Sequence, residues 1–193
     1  LRVQFTNISH DMGLSGDHGS FVCATLDWWP ASKCLDTSGT KLCPWENASI
    51  LTAPLDHLRL RGLLRAFEGI TLRIGGTLAD SIFYEEEEDD STTKCLPFAT
   101  STQTRHGYEH GCLTRQRWRE IAQWASDTHA QIIFGINGLH GQRTRNMVNA
   151  SGSSSANATA PVWDSSNARQ FLEFLRDQKL YHNIWGLEFG NEL

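Results

Sequence analysis

The chain has 193 residues, a length that fits one ordinary domain. Its formal net charge of −5 at pH 7 gives no electrostatic support to nucleic-acid binding. No apolar run approaches the roughly 18 residues that a membrane span needs, so the sequence predicts no transmembrane segment. The chain starts at Leu1 without a signal peptide; we expect cut ends, and removal of a targeting segment stays open.

Four apolar runs predict β-strands, because they are rich in strand-forming residues. They are residues 21–27, 70–74, 130–137 and 184–192. Three helical patterns separate them. The first is capped by Thr52 with Pro54 in its first turn, the second begins near Thr114, and the third begins near residues 164–166. Their apolar sides comprise Leu55, Leu58 and Leu63; Trp118, Ile121, Ala122 and Ala125; and Ala168, Phe171, Leu172 and Leu175.

This order of strands and helices implies parallel strands with right-handed crossovers. Long loops at residues 28–50, 77–113 and 138–163 follow the carboxyl ends of the first three strands, where barrel enzymes build their substrate clefts. Four βα-type units cannot close an eight-stranded barrel. We therefore predict an α/β fold in which residues 1–193 form the amino-terminal half of a (β/α)8 TIM barrel. The alternative is a small open α/β sheet, which the absence of a helix after the last strand disfavours.

The compartment is indicated by glycosylation sequons and cysteines. Four N-x-Ser/Thr sequons occur in loop-like stretches, at Asn7, Asn47, Asn149 and Asn157, and favour a secreted glycoprotein over a cytosolic protein with accidental sequons. Cysteines bracket two polar loops, Cys34 with Cys43 and Cys95 with Cys112, and are disulfide candidates. Cys23 lies in an apolar strand and is predicted to be a buried free thiol.

Alternation along the strands separates a helix-packed face from an inner face. The helix-packed set is Val22, Ala24, Leu26, Leu72, Ile74, Ile132, Phe134 and Ile136. In the last strand, Leu187, Phe189 and Asn191 share one face, and Glu188 and Glu192 the other. Arg73 and Glu188 both point inward, where each would be costly alone, so we predict an ion pair. Polar residues collect at the barrel mouth: Asp27, Thr77, Asp80, Asn137, Asn191 and Glu192.

Glu192 is the candidate catalytic carboxyl group, because a barrel enzyme places its chemistry at the carboxyl ends of its strands. Glycoside hydrolysis commonly needs a second carboxyl group. Asp27 and Asp80 are the local candidates, but a Glu on a later barrel strand is the more natural source.

Three other features are weaker. Cys95, His106, His110 and Cys112 are metal-binding residue types, but a disulfide with nearby loop histidines is the favoured interpretation, and we predict no metal or cofactor. The acidic run from Glu85 to Asp90 is most simply a solvated loop. Trp28 and Trp29 point opposite ways, so one of them can stack on a sugar ring while the other packs inside.

Five stretches, in the same order along the chain, resemble glycoside hydrolase family 79, and in particular the plant heparanase-like proteins. They are residues 21–30, 72–80, 133–138, 163–168 and 185–193. The Leu-Arg-Ile-Gly-Gly and Gly-Asn-Glu stretches together are specific; Gly-Asn-Glu alone fits many barrel glycosidases.

The resemblance implies a (β/α)8 barrel with an accessory β-sandwich and a retaining endo- or exo-β-glucuronidase. Glu192 matches the acid/base, Asn191 the residue that bonds the sugar 2-hydroxyl, and Asp27, Thr77 and Asn137 positions near the sugar. The family's nucleophile Glu and its sandwich domain belong beyond Leu193. The implied partner is a glucuronic-acid-containing glycan or a small glucuronide; the oligomeric state stays open.

Two features favour a plant-type glucuronide over heparan sulfate. Leu193 stands where the animal members carry Pro, and the acidic run would repel a sulfated polyanion if it lined the cleft. The rival hypotheses are a non-catalytic carbohydrate-binding protein and a barrel glycosidase acting on arabinosides or xylosides.

Overall fold

A computed structural model gives the fold of the chain. It describes residues 22–33, 43, 47–67, 69–86, 95, 98–100, 107–108, 110–139, 143–148 and 154–191, with the backbone alone for 143–148 and 154–162. In chain order the elements are β1 (Cys23–Leu26), α1 (Leu58–Arg65), β2 (Thr71–Ile74), a 3-10 helix (Thr77–Ser81), β3 (Ile82–Tyr84), β4 (Gly111–Leu113), α2 (Arg115–Thr128), β5 (Gln131–Ile136), β6 (Arg143–Val148), β7 (Ser154–Val162), α3 (Ser166–Asp177) and β8 (Ile184–Phe189).

Four parallel strands form the main sheet, in the order β1–β2–β5–β8. Cys23 at the start of β1 lies opposite Thr71 of β2, and Ile136 at the end of β5 lies opposite Phe189 of β8. Along the chain, α1 lies between β1 and β2, α2 between β2 and β5, and α3 between β5 and β8. All four predicted strands are present, and their parallel pairing confirms the predicted α/β arrangement.

The core lies between this sheet and the helices. The residues predicted to face the helices from β2 and β5 are buried: Leu72, Ile74, Ile132, Phe134 and Ile136. The ring of Phe134 lies 4.9 Å from that of Trp118 on α2 and 5.7 Å from that of Phe171 on α3, measured between centroids. Aromatic side chains bury large apolar areas, so this cluster holds both helices against the sheet.

Strand β1 does not follow the predicted alternation. Val22 and Ala24, which the pattern places against the helices, are exposed, and Leu26 is only partly buried. Cys23 is a free thiol as predicted, but it is exposed rather than buried. The reason is position: within the described residues β1 is an edge strand that pairs with β2 alone.

Helix α2 begins where the sequence predicts. The Thr114 hydroxyl accepts a hydrogen bond from the Arg117 main-chain nitrogen at 3.0 Å, which is an N-cap contact. The helix ends at His129, which adopts a left-handed conformation with φ of 56°. Helix α3 also starts at its predicted position, beside Asp164, whose Oδ1 accepts from the Ser166 nitrogen at 3.0 Å.

The prediction for helix α1 is wrong in its start and its apolar side. The helix begins at Leu58, not near Thr52, and Leu58 and Leu63 are 84% and 56% exposed. The segment before the helix is held by a tertiary contact, in which the Arg117 guanidinium donates to the carbonyls of Ile50 and Ala53 at 2.9 and 2.7 Å. A helix from Thr52 would pair the Ala53 carbonyl with the His57 nitrogen, which instead donates to the Pro54 carbonyl at 2.9 Å.

Two predicted loops contain strands. In residues 77–113, β3 and β4 form a parallel pair; in residues 138–163, β6 and β7 form an antiparallel pair. Three-residue strands are too short to show alternation. The β7 sequence, Ser154–Val162, contains three Ala, one Asn and one Pro, residue types that are depleted in strands.

Cysteine pairing agrees with the prediction for one loop. Cys95 and Cys112 form a disulfide with Cα atoms 5.1 Å apart. Cys43 is also disulfide-bonded, while its predicted partner Cys34 lies outside the described residues. Within the described ranges, no helix is both long and apolar enough to cross a bilayer.

Candidate active site

The candidate site lies at the carboxyl ends of β2, β5 and β8. Its centre is an ion pair between Arg73 of β2 and Glu188 of β8, with Nε to Oε2 at 2.6 Å and Nη2 to Oε1 at 2.9 Å. The two side chains are 29% and 36% exposed on the inner face of the sheet. This two-point contact confirms the predicted pair and fixes the guanidinium plane.

Asn191 also reaches Arg73, and this corrects the predicted alternation. Its Oδ1 accepts from Arg73 Nη2 at 3.0 Å, so its side chain lies with Glu188 rather than with Leu187 and Phe189. Strand β8 ends at Phe189, and Gly190 follows with φ of 71°. A left-handed residue rotates the chain, so strand alternation no longer applies at Asn191.

Asp80 is the buried acid of the site and lies in the 3-10 helix that follows β2. Its side chain is buried, and its Oδ1 accepts from the main-chain nitrogens of Gly138 at 3.2 Å and Asn191 at 3.1 Å. Oδ2 accepts from the same Asn191 nitrogen at 3.0 Å. The predicted mouth residue therefore binds the backbone at the ends of β5 and β8.

Asp27 directly follows β1 and lies against Gly76. Its Oδ1 accepts from the Trp28 main-chain nitrogen at 2.6 Å, and the carboxylate packs on the Gly76 Cα, where no side chain would fit. Burial raises the pKa of Asp27, outweighing the opposing effects of main-chain hydrogen bonds and of Arg73. Thr77, the next predicted site residue, starts the 3-10 helix and is partly exposed.

The raised pKa of Asp27 predicts a pH-dependent effect of Asp27→Asn. The folded protein binds this proton more tightly than the unfolded chain, so ionisation of Asp27 costs stability as pH rises from the ordinary value of 3.8 through the raised pKa. In thermal unfolding scans between pH 3.5 and pH 7, we expect the melting temperature of the variant, relative to wild type, to rise as the pH passes from 3.8 through the raised pKa of Asp27 and then to stay level.

Glu120→Gln is the matched control, with the opposite sign. Arg117 lowers the pKa of Glu120, so its contribution is present at neutral pH and is lost on acidification. The melting temperature of Glu120→Gln should therefore fall further below that of wild type at pH 7 than at pH 3.5. The difference should be small because Glu120 is exposed. A difference for Asp27→Asn that stays constant or shrinks with rising pH would contradict the first prediction.

Asn137 is not open to the mouth as the sequence suggested. It is 1% exposed, and its Nδ2 donates to the Ile82 carbonyl at 2.8 Å and to Asn167 Oδ1 at 3.3 Å. Its main-chain nitrogen donates to the Tyr84 hydroxyl at 3.1 Å, and its carbonyl accepts from Trp163 Nε1 at 2.8 Å. Strand β5 ends at Ile136, so alternation does not determine where Asn137 points.

Sequence reasoning missed this buried network. Tyr84 and Asn167 lie on β3 and α3, and Asn167 Nδ2 donates to the Tyr84 carbonyl at 2.8 Å. Burial raises the pKa of Tyr84, which keeps its hydroxyl protonated. The only indication in the sequence is that Tyr84 and Asn167 are each flanked by core residues. This indication is weak, because the sequence does not predict β3, which places Tyr84 beside Asn137.

The two tryptophans take different positions. Trp28 is fully buried, in edge contact with Phe134 at 6.2 Å, and belongs to the core. Trp29 is half-buried, with the Tyr108 ring at 5.8 Å and Lys33 Nζ 4.2 Å from its centroid. Trp29 is thus the one of the two with surface for a ligand.

Several predicted site residues lie outside the described part of the chain. These are Glu192 and, among the predicted glycosylation and disulfide sites, Asn7, Asn149 and Cys34; the Asn157 side chain is likewise not described. Asn47 is exposed. Among the described residues, no cluster of His, Cys, Asp and Glu has the arrangement of a metal site. The disulfide removes Cys95 and Cys112 from the metal alternative.

The four-stranded parallel sheet and the polar cluster at the carboxyl ends of its strands are typical of a barrel enzyme. The family model described as glycosyl hydrolase family 79, N-terminal domain, matches residues 5–193. The chain belongs to this family, and its strands and helices are those of the first half of a TIM barrel.

Similar proteins come from two plants. The chain is 38% identical to heparanase-like protein 3 of Arabidopsis thaliana over 173 residues, which are 90% of this chain and 29% of that protein. It is 34% identical to baicalin-beta-D-glucuronidase of Scutellaria baicalensis over 177 residues, 90% of this chain and 32% of that protein. The chain therefore spans about three tenths of the length of these relatives.

Proposed function

We propose that this chain is part of a secreted, retaining β-glucuronidase in which Glu192 is the general acid/base. The observation that carries the proposal is the placement of Asn191, the residue before Glu192 in the sequence. Its side chain accepts from Arg73, which also pairs with Glu188 of β8. Membership of glycosyl hydrolase family 79 and similarity to a protein named as a glucuronidase support the same activity.

In this mechanism Glu192 protonates the leaving glycosidic oxygen and later deprotonates the water that releases the glycosyl-enzyme. A retaining enzyme also needs a nucleophilic carboxylate about 5 Å away. Asp80 is buried and accepts from main-chain nitrogens, which favours a structural role for it. Asp27 is held by the Trp28 nitrogen against Gly76, and we assign it to sugar binding. We therefore assign the nucleophile to a Glu beyond residue 193.

Sugar binding is assigned to the partly exposed residues of the mouth. Asn191 Oδ1 accepts from Arg73, and we assign its Nδ2, an amide donor, to the sugar 2-hydroxyl. Asp27 and Thr77 are partly exposed and serve as further contacts. Asn137 is buried, so we assign it to support of the loop after β5 rather than to direct contact.

The proposed substrate is a glucuronic-acid-containing glycan of plant type or a small glucuronide. Part of the acidic run is used within the fold, since Glu85 accepts from the Arg115 nitrogen at 2.7 Å and Glu86 from Asn167 at 3.2 Å. An acidic surface beside the mouth would disfavour sulfated polyanions. The sequons, the exposure of Asn47 and the disulfide support passage through the secretory pathway.

A panel of 4-nitrophenyl glycosides tests the activity of the complete protein. We expect release of nitrophenol from the β-D-glucuronide and little from the α-L-arabinofuranoside or β-D-xyloside. Proton NMR of the first product should show β-glucuronic acid before mutarotation, as retention requires. Faster hydrolysis of a pentoside would contradict the proposed substrate class, and an α-anomer as first product would contradict the retaining mechanism. Glycan binding without hydrolysis would contradict the proposed enzymatic activity.

A further inference from the structure

Asp80 connects the ends of three strands through a single buried carboxylate. It follows β2 by way of Gly75 and Gly76, and the side chain is 2% exposed. Its main-chain carbonyl accepts from the Leu139 nitrogen at 3.0 Å, and its Oδ1 accepts from the Gly138 nitrogen at 3.2 Å. Both contacts hold the chain that leaves β5.

The contact with β8 falls at the residue before the proposed acid/base. Both carboxylate oxygens lie within 3.1 Å of the Asn191 nitrogen. Immediately before it, the Gly190 nitrogen still donates to the Ile136 carbonyl at 3.2 Å, as in the strand ladder. The chain therefore leaves the sheet between Gly190 and Asn191, and Asp80 holds the first residue after this departure.

We propose that Asp80 is a positioning residue that sets the location of the Glu192 carboxyl group by holding the Asn191 main chain. The inference rests on the proposed function of Glu192. A charged acceptor binds an N–H group about twice as strongly as a neutral one. Misplacement of a catalytic group by about 1 Å can lower a rate by about 10²-fold, so this backbone contact has a catalytic consequence.

Asp80→Asn in the complete protein tests the proposal. The amide keeps the size of the side chain and one acceptor oxygen, but it removes the negative charge, and its NH2 group cannot accept from the Asn191 nitrogen as the second carboxylate oxygen does. We expect kcat/KM to fall by about 10²-fold for a phenyl β-glucuronide, whose poor leaving group needs protonation. For the 2,4-dinitrophenyl β-glucuronide, whose leaving group needs no acid, we expect a loss below about 5-fold.

Asp127→Asn is the matched structural control. Asp127 pairs with Arg61, which joins α2 to α1, and accepts from Gln123 of the same helix at 2.7 Å. It lies at the end of α2 that precedes β5, and the site lies at the carboxyl ends of the strands. Its replacement should lower stability and leave the ratio of the two kcat/KM values unchanged. The same unchanged ratio in Asp80→Asn would overturn the positioning role, while absence of β-glucuronide hydrolysis by wild type would instead overturn the proposed function.

A second variant and a measurement on the wild-type protein test the proposal if Asp80→Asn does not fold. Asp80→Glu keeps the charge but displaces the carboxylate by one methylene group, and the same selective loss with the phenyl substrate is expected. In wild type, hydrogen–deuterium exchange resolved to single residues should show slow exchange of the Gly138 and Asn191 amides. Fast exchange at Asn191 would overturn the proposal without any variant.

Discussion

Glu192→Gln in the complete protein is expected to lower kcat/KM for phenyl and alkyl β-glucuronides by about 10²–10⁴-fold, the usual contribution of a general acid. Glutamine keeps the size of the side chain, but its amide has no acidic proton that it could transfer to the leaving oxygen. The 2,4-dinitrophenyl β-glucuronide should lose far less in kcat/KM, because its phenolate leaves unaided. Steady-state kinetics with a series of aryl β-glucuronides of graded leaving-group pKa measures this effect.

Azide gives an independent test of the same residue. Without the carboxylate base, the glycosyl-enzyme should react with azide instead of water, and the dinitrophenyl substrate should yield β-glucuronosyl azide. Glu120→Gln, an exposed substitution of the same type on α2, should show neither effect. Full activity of Glu192→Gln on the phenyl substrate would remove Glu192 from the mechanism and with it the proposed acid/base assignment.

The sequence predicts the inside of the sheet well because strand alternation is a local rule. Arg73 and Leu72 are neighbours with opposite environments, one paired with Glu188 and one buried against the helices. Parallel pairing then brings β2 and β8 to either side of β5. Two charged residues predicted on the same inner face can therefore be paired from the sequence alone.

The same rule fails one residue past a strand end. Asn137 follows the last residue of β5, and Asn191 follows Gly190, whose positive φ redirects the chain. In both cases the side chain points where hydrogen-bond partners are available, which are distant in sequence: Ile82 and Asn167 for Asn137, and Arg73 for Asn191. Because the site lies beyond the strand ends, its composition is more predictable than its geometry.

Contacts between distant segments also explain the wrong start of α1. Its apolar spacing and Pro54 suit a helix start near Thr52, but Arg117 of α2 donates to the Ala53 carbonyl, which that helix would use for its own hydrogen bond. The sequence of residues 50–57 does not indicate this contact with Arg117. Asp80 is similar: the sequence identifies an acid near the mouth, but not that the main chain of Gly138 and Asn191 would donate to it.

Gly76→Ala is expected to destabilise the protein by about 2–4 kcal/mol, a large effect for the addition of one methyl group. Gly76 has φ of 100° and ψ of 179°, a region that residues with a Cβ hardly occupy. A Cβ there would lie 2.8 Å from Asp27 Cγ and closer still to Oδ2. Since Asp27 is held by the Trp28 nitrogen, its carboxylate would have to leave that hydrogen bond to make room.

Activity should fall with stability, because Asp27 is a proposed sugar contact. We expect kcat/KM for 4-nitrophenyl β-glucuronide to drop by about 10²-fold even for the folded fraction of Gly76→Ala, as measured after correction by active-site titration. Gly62→Ala provides the matched control. Gly62 lies within α1, and no atom is close to its Cβ position, so the same substitution should raise stability by about 0.5–1 kcal/mol and leave kcat/KM unchanged. Equal effects at the two glycines in chemical denaturation would show that the Gly76 conformation and its contact with Asp27 do not determine the geometry of the site.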